Sequence, residues 1–207
     1  MKTSIKVAAC AALVAGAAGC ATTLSDTEAA KLAVDVMKTS FKANGQATLD
    51  RLNQDDPQAV CSVSPETKIP KETLDRVEKA QLATVKFPAD GKLLGDWRQG
   101  ERIAQSGVGM QFSDNPTAPS GANCYACHQI SPQEISFGTI GPSLTGYGKL
   151  RGNSKAIQEY TYTKIYNPQA YSACSNMPRF GHNRILTEEQ IRHVTALLLD
   201  PESPVNK

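Results

Sequence analysis

Cys124-Tyr125-Ala126-Cys127-His128 sets two thiols three positions apart, with an imidazole directly after them. Covalent c-type haem attachment needs this pattern: each thiol can form a thioether to one haem vinyl group, and the histidine reaches the iron from the same side. Zinc is the first rival. It would want a second ligand pair at similar spacing, and no other Cys-x-x-Cys and no His-x-x-x-His occurs in the chain. A thioredoxin-like dithiol belongs in a strand–helix–strand setting, which the flanking sequence does not suggest. The pattern therefore predicts one haem c, covalently bound through Cys124 and Cys127, with His128 as an axial ligand of the iron.

An iron held by one histidine needs something on its opposite face. The remaining histidines are His182 and His193, and the methionines beyond the first residue are Met37, Met110 and Met177. Met177 follows a helical stretch and precedes Pro178, so it falls on a loop that can approach the iron, where a thioether raises the haem potential into electron-transfer range. Met177 is the expected sixth ligand. His182 is the alternative and would give a bis-histidine haem of lower potential; an open sixth site, as in a gas sensor or haem enzyme, is the residual case. Met110 precedes the motif by too little chain, and His193 lies in a helical stretch where packing or surface is the ordinary role. Gly141-Pro142 can offer the Pro142 carbonyl to the other ring nitrogen of His128, fixing the ring and making it a better donor; otherwise it is an ordinary turn. Arg179, two residues past Met177, is a candidate for a haem propionate, for an acidic partner, or for plain solvation. No P-loop or serine-nucleophile motif appears, and no catalytic residue is expected.

The elements that must position these groups read as helices. Ser25 and Glu28 make a capping box, and Ala29, Leu32, Ala33 and Val36 share a helical face until Asn44-Gly45. Asp55-Asp56-Pro57 reads as a turn, followed by an irregular piece holding Cys61 and Ser64-Pro65. A second helix starts near Pro70, with Leu74, Val77, Gln81 or Leu82, and Val85 at helical spacing. Lys86 to Gly91 breaks that pattern and marks a domain boundary. Beyond it, Asp96 can cap a helix with Gln99 at its third position, Trp97, Gly100 and Ile103 or Ala104 on one face, and Gly107 as its end. Gly100 in mid-helix costs about 1 kcal/mol relative to Ala, which points to a close helix crossing. Ser154 begins another helix, closed by Asn167-Pro168, whose Tyr160, Tyr162 and Tyr166 read as core and haem-crevice walls. Thr187 and Gln190 box a final amphipathic helix ending at Asp200-Pro201.

Across 207 residues, Lys plus Arg number 22 and Asp plus Glu number 20, which implies no nucleic-acid footprint and no acidic tail. Lys2 and Lys6 followed by a short apolar run, Val7 to Ala18, form an export signal too short to stay as a membrane span. Removing residues 1–19 leaves the two charge signs equal. Ala17-Ala18-Gly19-Cys20 resembles a lipoprotein cleavage box that would make Cys20 an acylated first residue, while Ala15-Gly16-Ala17 offers ordinary signal peptidase another cut. With Cys10 in the leader and Cys124 and Cys127 on haem, Cys61 and Cys174 remain. In an oxidising compartment such a pair most simply forms a disulfide; two unrelated buried thiols are the other reading.

The order helix, Cys-x-x-Cys-His, Gly-Pro loop, helix, Met loop, final helix is that of class I cytochrome c and covers residues 91–207. The expected fold is all-α: a signal peptide at 1–19, a helical N-terminal extension at 20–90, and a class I cytochrome c domain at 91–207. More closely, Asp-Gly-Lys-Leu-Leu-Gly-Asp-Trp at 90–97, Asn-Cys-Tyr-Ala-Cys-His-Gln at 123–129, Ile-Ser-Phe-Gly-Thr-Ile-Gly-Pro-Ser-Leu at 135–144, Cys-Ser-Asn-Met-Pro-Arg-Phe-Gly at 174–181 and Leu-Thr-Glu-Glu-Gln-Ile at 186–191 resemble the SoxX family in its longer form. SoxX is the monohaem subunit of the SoxAX sulfur-oxidation cytochrome. The resemblance implies a periplasmic heterodimer with SoxA that oxidatively joins thiosulfate to a cysteine of the carrier SoxYZ and passes electrons to an acceptor cytochrome, as an L-cysteine S-thiosulfotransferase. It implies further that the catalytic haem belongs to SoxA, and that the haem carried by His128 and Met177 is an electron relay. The lipoprotein-like Cys20 departs from that pattern and would tether the protein to a membrane. A stand-alone periplasmic electron carrier is the alternative.

Overall fold

The computed structural model describes residues 24–64 and 66–207. The export signal, Cys10, the Cys20 box and Pro65 lie outside the described residues. Contacts divide the described residues into two units, 24–42 and 43–207. In the first, α1 (Asp26–Ser40) starts at the capping box expected from Ser25 and Glu28: Glu28 N–H donates to Ser25 Oγ at 3.3 Å and Ser25 N–H to Glu28 Oε2 at 2.9 Å. It ends at Phe41, short of Asn44-Gly45, and none of its residues is buried.

The second unit holds everything from Ala43 onward, so the segment 43–90 packs with the haem-motif region instead of standing apart from it. The change of sequence character near residue 90 is a change of local pattern within that unit. Its first helix, α2 (Asp56–Cys61), occupies the stretch expected to be a turn and irregular chain. Asp55 and Gln58 form a capping box and Pro57 sits in the first turn, so the residues that signal a turn here serve equally to start a helix. Helix α3 (Lys71–Leu82) buries Val77 completely and leaves Leu82 exposed. Gln81 takes the inner position because its amide has a partner there: Asn167 Nδ2 donates to Gln81 Oε1 at 2.9 Å.

Helix α4 (Trp97–Gln105) is capped by Asp96, which accepts from Arg98 N–H rather than from Gln99, and it ends at Ser106 before reaching Gly107. It crosses α7 (Glu188–Leu199) in the most extensive helix–helix contact of the protein. Gly100 lies at that crossing, where a Cβ would run into the His193 carbonyl oxygen, so the mid-helix glycine is a packing requirement. Between them stand α5 (Tyr147–Arg151) and α6 (Lys155–Tyr166), the latter starting at Ser154 and ending at Asn167 as its capping residues predict. One hydrophobic core joins Ala104 of α4, Tyr162 and Ile165 of α6, and Ile191, Val194, Leu197 and Leu198 of α7 with Leu93, Ile130, Phe180, Leu186 and Val205. Burial of each large aliphatic side chain contributes about 1.5–3 kcal/mol. The C-terminal tail closes this core: Asn206 Oδ1 accepts from Gly148 N–H at 2.8 Å, and its Nδ2 donates to the Leu198 and Asp200 carbonyls. Among the described residues there are helices and loops, with no β-strand.

Candidate haem site

The Cys-x-x-Cys-His motif forms a tight turn. Asn123 adopts the left-handed conformation (φ 46°), a 3₁₀ turn runs over Cys124–Ala126, and Cys127 N–H and His128 N–H both donate to the Cys124 carbonyl, at 3.1 and 2.9 Å. Asn is one of the few side chains that takes that conformation without much strain. Burial pushes the Cys124 thiol up to about 12, so it is protonated and a poor nucleophile in the folded chain.

A loop is stitched along the motif by three backbone hydrogen bonds: Gly138 N–H to Tyr125 O at 3.0 Å, Gly141 N–H to Cys127 O at 2.8 Å and Leu144 N–H to Gln129 O at 2.8 Å. Two of its glycines are sterically required. A Cβ at Gly138 would meet the Ala126 carbonyl, and one at Gly141 would clash with the His128 ring at Cε1. This register brings the Pro142 carbonyl oxygen to 2.7 Å from His128 Nδ1. A carbonyl only accepts, so Nδ1 carries the proton and the lone pair is left on Nε2, the tautomer an iron ligand needs.

The Met177 loop faces the same space. An apolar cleft is lined by Cys124, His128 and Met177 together with Ala104, Ala122, Ile130, Leu144, Ile165, Phe180, Val194, Leu197 and Leu198. A thiol in the lining with the second, Cys127, at the end of the adjoining turn, an oriented imidazole, a thioether and otherwise hydrocarbon walls are a donor set and environment that suit a covalently attached haem. The other candidates for the sixth position lie elsewhere. His182 has Nδ1 at 3.2 Å from Thr84 Oγ1 of the segment following α3. His193 accepts from Asp96 N–H on Nδ1 at 2.8 Å in the α4–α7 crossing. The Met110 carbonyl takes an Arg51 guanidinium at 2.6 Å.

The segment 43–90 fastens the Met loop at several points. A disulfide joins Cys61 and Cys174, with the Cα atoms 5.5 Å apart. Glu78 Oε1 accepts from Ala173 N–H at 3.1 Å. Arg179 is not a solvated side chain: it is 7% exposed and pairs through Nη2 with Asp55 Oδ2 at 2.6 Å. Sequence reasoning missed Asp55 and Glu78. Asp55 was absorbed into a turn signal, and nothing local to Glu78 distinguishes it from any exposed helix carboxylate. From the other side, Gly181 N–H donates to the Tyr166 carbonyl, and a Cβ there would strike the Tyr166 ring. Tyr162 is fully buried with its hydroxyl on the Lys86 carbonyl, and its ring stacks near Tyr166, so Tyr162 is a core residue with Tyr166 packed against that core, and neither lines the cleft. Tyr160 instead lies on Tyr171, away from that stack.

An all-α fold in which a Cys-x-x-Cys-His turn, a Gly-Pro loop and a Met loop enclose one apolar cleft is that of a class I cytochrome c. The cytochrome c family model matches residues 116–200, which implies covalently bound haem c and a role in electron transfer. A protein of Aquifex aeolicus (strain VF5) described as an uncharacterized lipoprotein is 42% identical over 158 residues, covering 74% of this chain and 73% of its own. The chain belongs to one family with that protein and is a c-type cytochrome.

Proposed function

We propose that this protein is an exported one-electron relay, its haem iron held between His128 and Met177, that serves as the monohaem subunit of a SoxAX-type complex. The observation that carries the relay reading is that an oriented His128 and Met177 line one apolar cleft. Haem c supplies a one-electron iron couple when bound there. The chain's own residues would do the rest: Cys124 and Cys127 would hold the group covalently, Pro142 fixes the imidazole, Met177 would supply the second ligand, and hydrocarbon side chains line the cleft. No acid or base is needed for electron transfer.

The complex reading rests on the five SoxX-like stretches between residues 90 and 191. In it, a SoxA-type partner carries the catalytic haem, thiosulfate is joined to a SoxYZ cysteine there, and this subunit passes the electrons to an acceptor cytochrome. The description of the Aquifex relative as a lipoprotein supports an acylated Cys20, and so a periplasmic protein tethered to a membrane. Co-expression with a SoxA homologue is the test: a stable heterodimer whose thiosulfate-conjugating activity depends on this chain is expected. A chain that elutes alone and leaves that activity unchanged would overturn the complex and leave a stand-alone electron carrier.

A further inference from the structure

Arg179 sits between two residues of the cleft region, two positions after Met177 and directly before Phe180, both of which line the cleft. Its side chain is 7% exposed. One guanidinium nitrogen, Nη2, is satisfied by Asp55. The other, Nη1, is buried and has no hydrogen-bond partner among the described residues. A guanidinium removed from water is fully compensated only when both edges of its fork meet acceptors, and its geometry suits two carboxylates. Asp55 fills one of those places and leaves the second for an anion that the described residues do not supply.

We propose that Arg179 Nη1 binds a propionate carboxylate of the haem, and that Asp55, far ahead of the Cys-x-x-Cys-His motif in the chain, tunes the reduction potential through Arg179. The proposal rests on the haem reading above. Arg179 is then a binding residue, and Asp55 a positioning residue that holds the guanidinium and offsets its charge. Positive charge beside the haem disfavours the ferric state, which carries one more positive charge than the ferrous, and negative charge favours it. Arg179 is poorly exposed and its charge weakly screened, whereas the Asp55 side chain is 41% exposed and its effect is smaller. Removing the Arg179 charge lowers the potential, and removing the Asp55 charge raises it. The neighbouring Asp56 is an internal control, because it pairs with the exposed Arg76 at 2.9 Å and both side chains are more than half exposed.

Spectroelectrochemical titration of the full-length holoprotein, wild type and R179Q, R179K, D55N and D56N, tests this, alongside resonance Raman spectra of the haem propionate bending modes. The near-infrared sulfur-to-iron band reports in each variant whether the Met177 loop is intact. Expected results are a lowered potential and a downshifted propionate mode in R179Q, a smaller drop in R179K, a raised potential in D55N, and no change in D56N. The D55N shift should shrink in the R179Q background, where the guanidinium that Asp55 holds is gone. A potential and propionate mode unmoved in both R179Q and D55N, with the near-infrared band present, would overturn the proposal. Should R179Q fail to accumulate with haem, D55N decides alone, and an unmoved potential in it overturns the coupling. A wild-type protein without a haem spectrum would overturn the haem reading and this one together; a normal spectrum with unmoved potentials overturns only this one.

Discussion

Gly141 runs against the imidazole of His128 so closely that a methyl group on its α-carbon would occupy the space of the ring. The absent side chain lets the loop descend far enough for Pro142 to accept the Nδ1 proton at 2.7 Å. G141A must therefore move either the ring or the loop. Overpacking of this kind costs about 1–3 kcal/mol, and here it also lengthens the Pro142 hydrogen bond, so the imidazole becomes a poorer donor. Expected outcomes are a lower urea midpoint and an altered ferric haem spectrum. G107A is the comparison, since its Cβ would find ordinary contact at 3.4 Å from Asn123, and its unfolding curve should stay within about 0.5 kcal/mol of wild type.

The Cys61–Cys174 disulfide closes a sequence separation of 113 residues. In the chain-entropy model a loop of that length contributes about 4–5 kcal/mol by restricting the unfolded chain. The double variant C61S/C174S should lose stability on that scale in urea unfolding, with the slope m increased because the unfolded chain expands. Because Cys174 lies three residues before Met177, the near-infrared sulfur-to-iron band should also disappear at a lower temperature than in wild type. An unchanged unfolding midpoint would show that the bond constrains nothing.

Much of this was readable from the chain, and the exceptions share a cause. Capping boxes at Ser25 and Thr187, the cap at Ser154 and the stop at Asn167-Pro168 are local signals, and the helices begin and end on them. Gly100 was readable as a crossing because a mid-helix glycine is unfavourable without a packing reason. The Cys-x-x-Cys-His turn and the Gly-Pro loop are likewise short-range. Hidden were the contacts between distant segments: Asp55 with Arg179, Glu78 with the Ala173 amide, Thr84 with His182, and Asn206 sealing α5 onto α7. Each uses a polar residue that is unremarkable in its own neighbourhood. Helix α2 was obscured for another reason, since Asp-Asp-Pro starts a turn and a helix with the same chemistry.

His182 gives the protein a pH-dependent stability. Burial is the main influence lowering its pKa below the ordinary 6.5, the nearby Arg179 lowers it further, and Asp55 opposes them. The folded state thus disfavours the protonated ring, and the unfolded chain binds the proton first as pH falls. The resulting stability is fully present above pH 6.5 and declines below it until the folded-state pKa is passed. Urea midpoints measured from pH 7.5 down to 5 should fall in wild type and fall less steeply in H182Q. A parallel decline in the two proteins would assign the pH dependence to other groups.

Met177 and His182 are five residues apart on one loop, and only one of them lines the cleft with His128. M177A should therefore abolish the near-infrared sulfur-to-iron band, lower the reduction potential, and let carbon monoxide bind the reduced protein at neutral pH, because the sixth position is opened. H182A should keep the band and exclude carbon monoxide, although its loss of the Thr84 contact will cost about 0.5–1.5 kcal/mol of stability. The pair separates the two ligand assignments cleanly. If the band persists in M177A, the thioether assignment fails; if H182A instead loses its low-spin spectrum, the haem is bis-histidine and its potential belongs in a lower range.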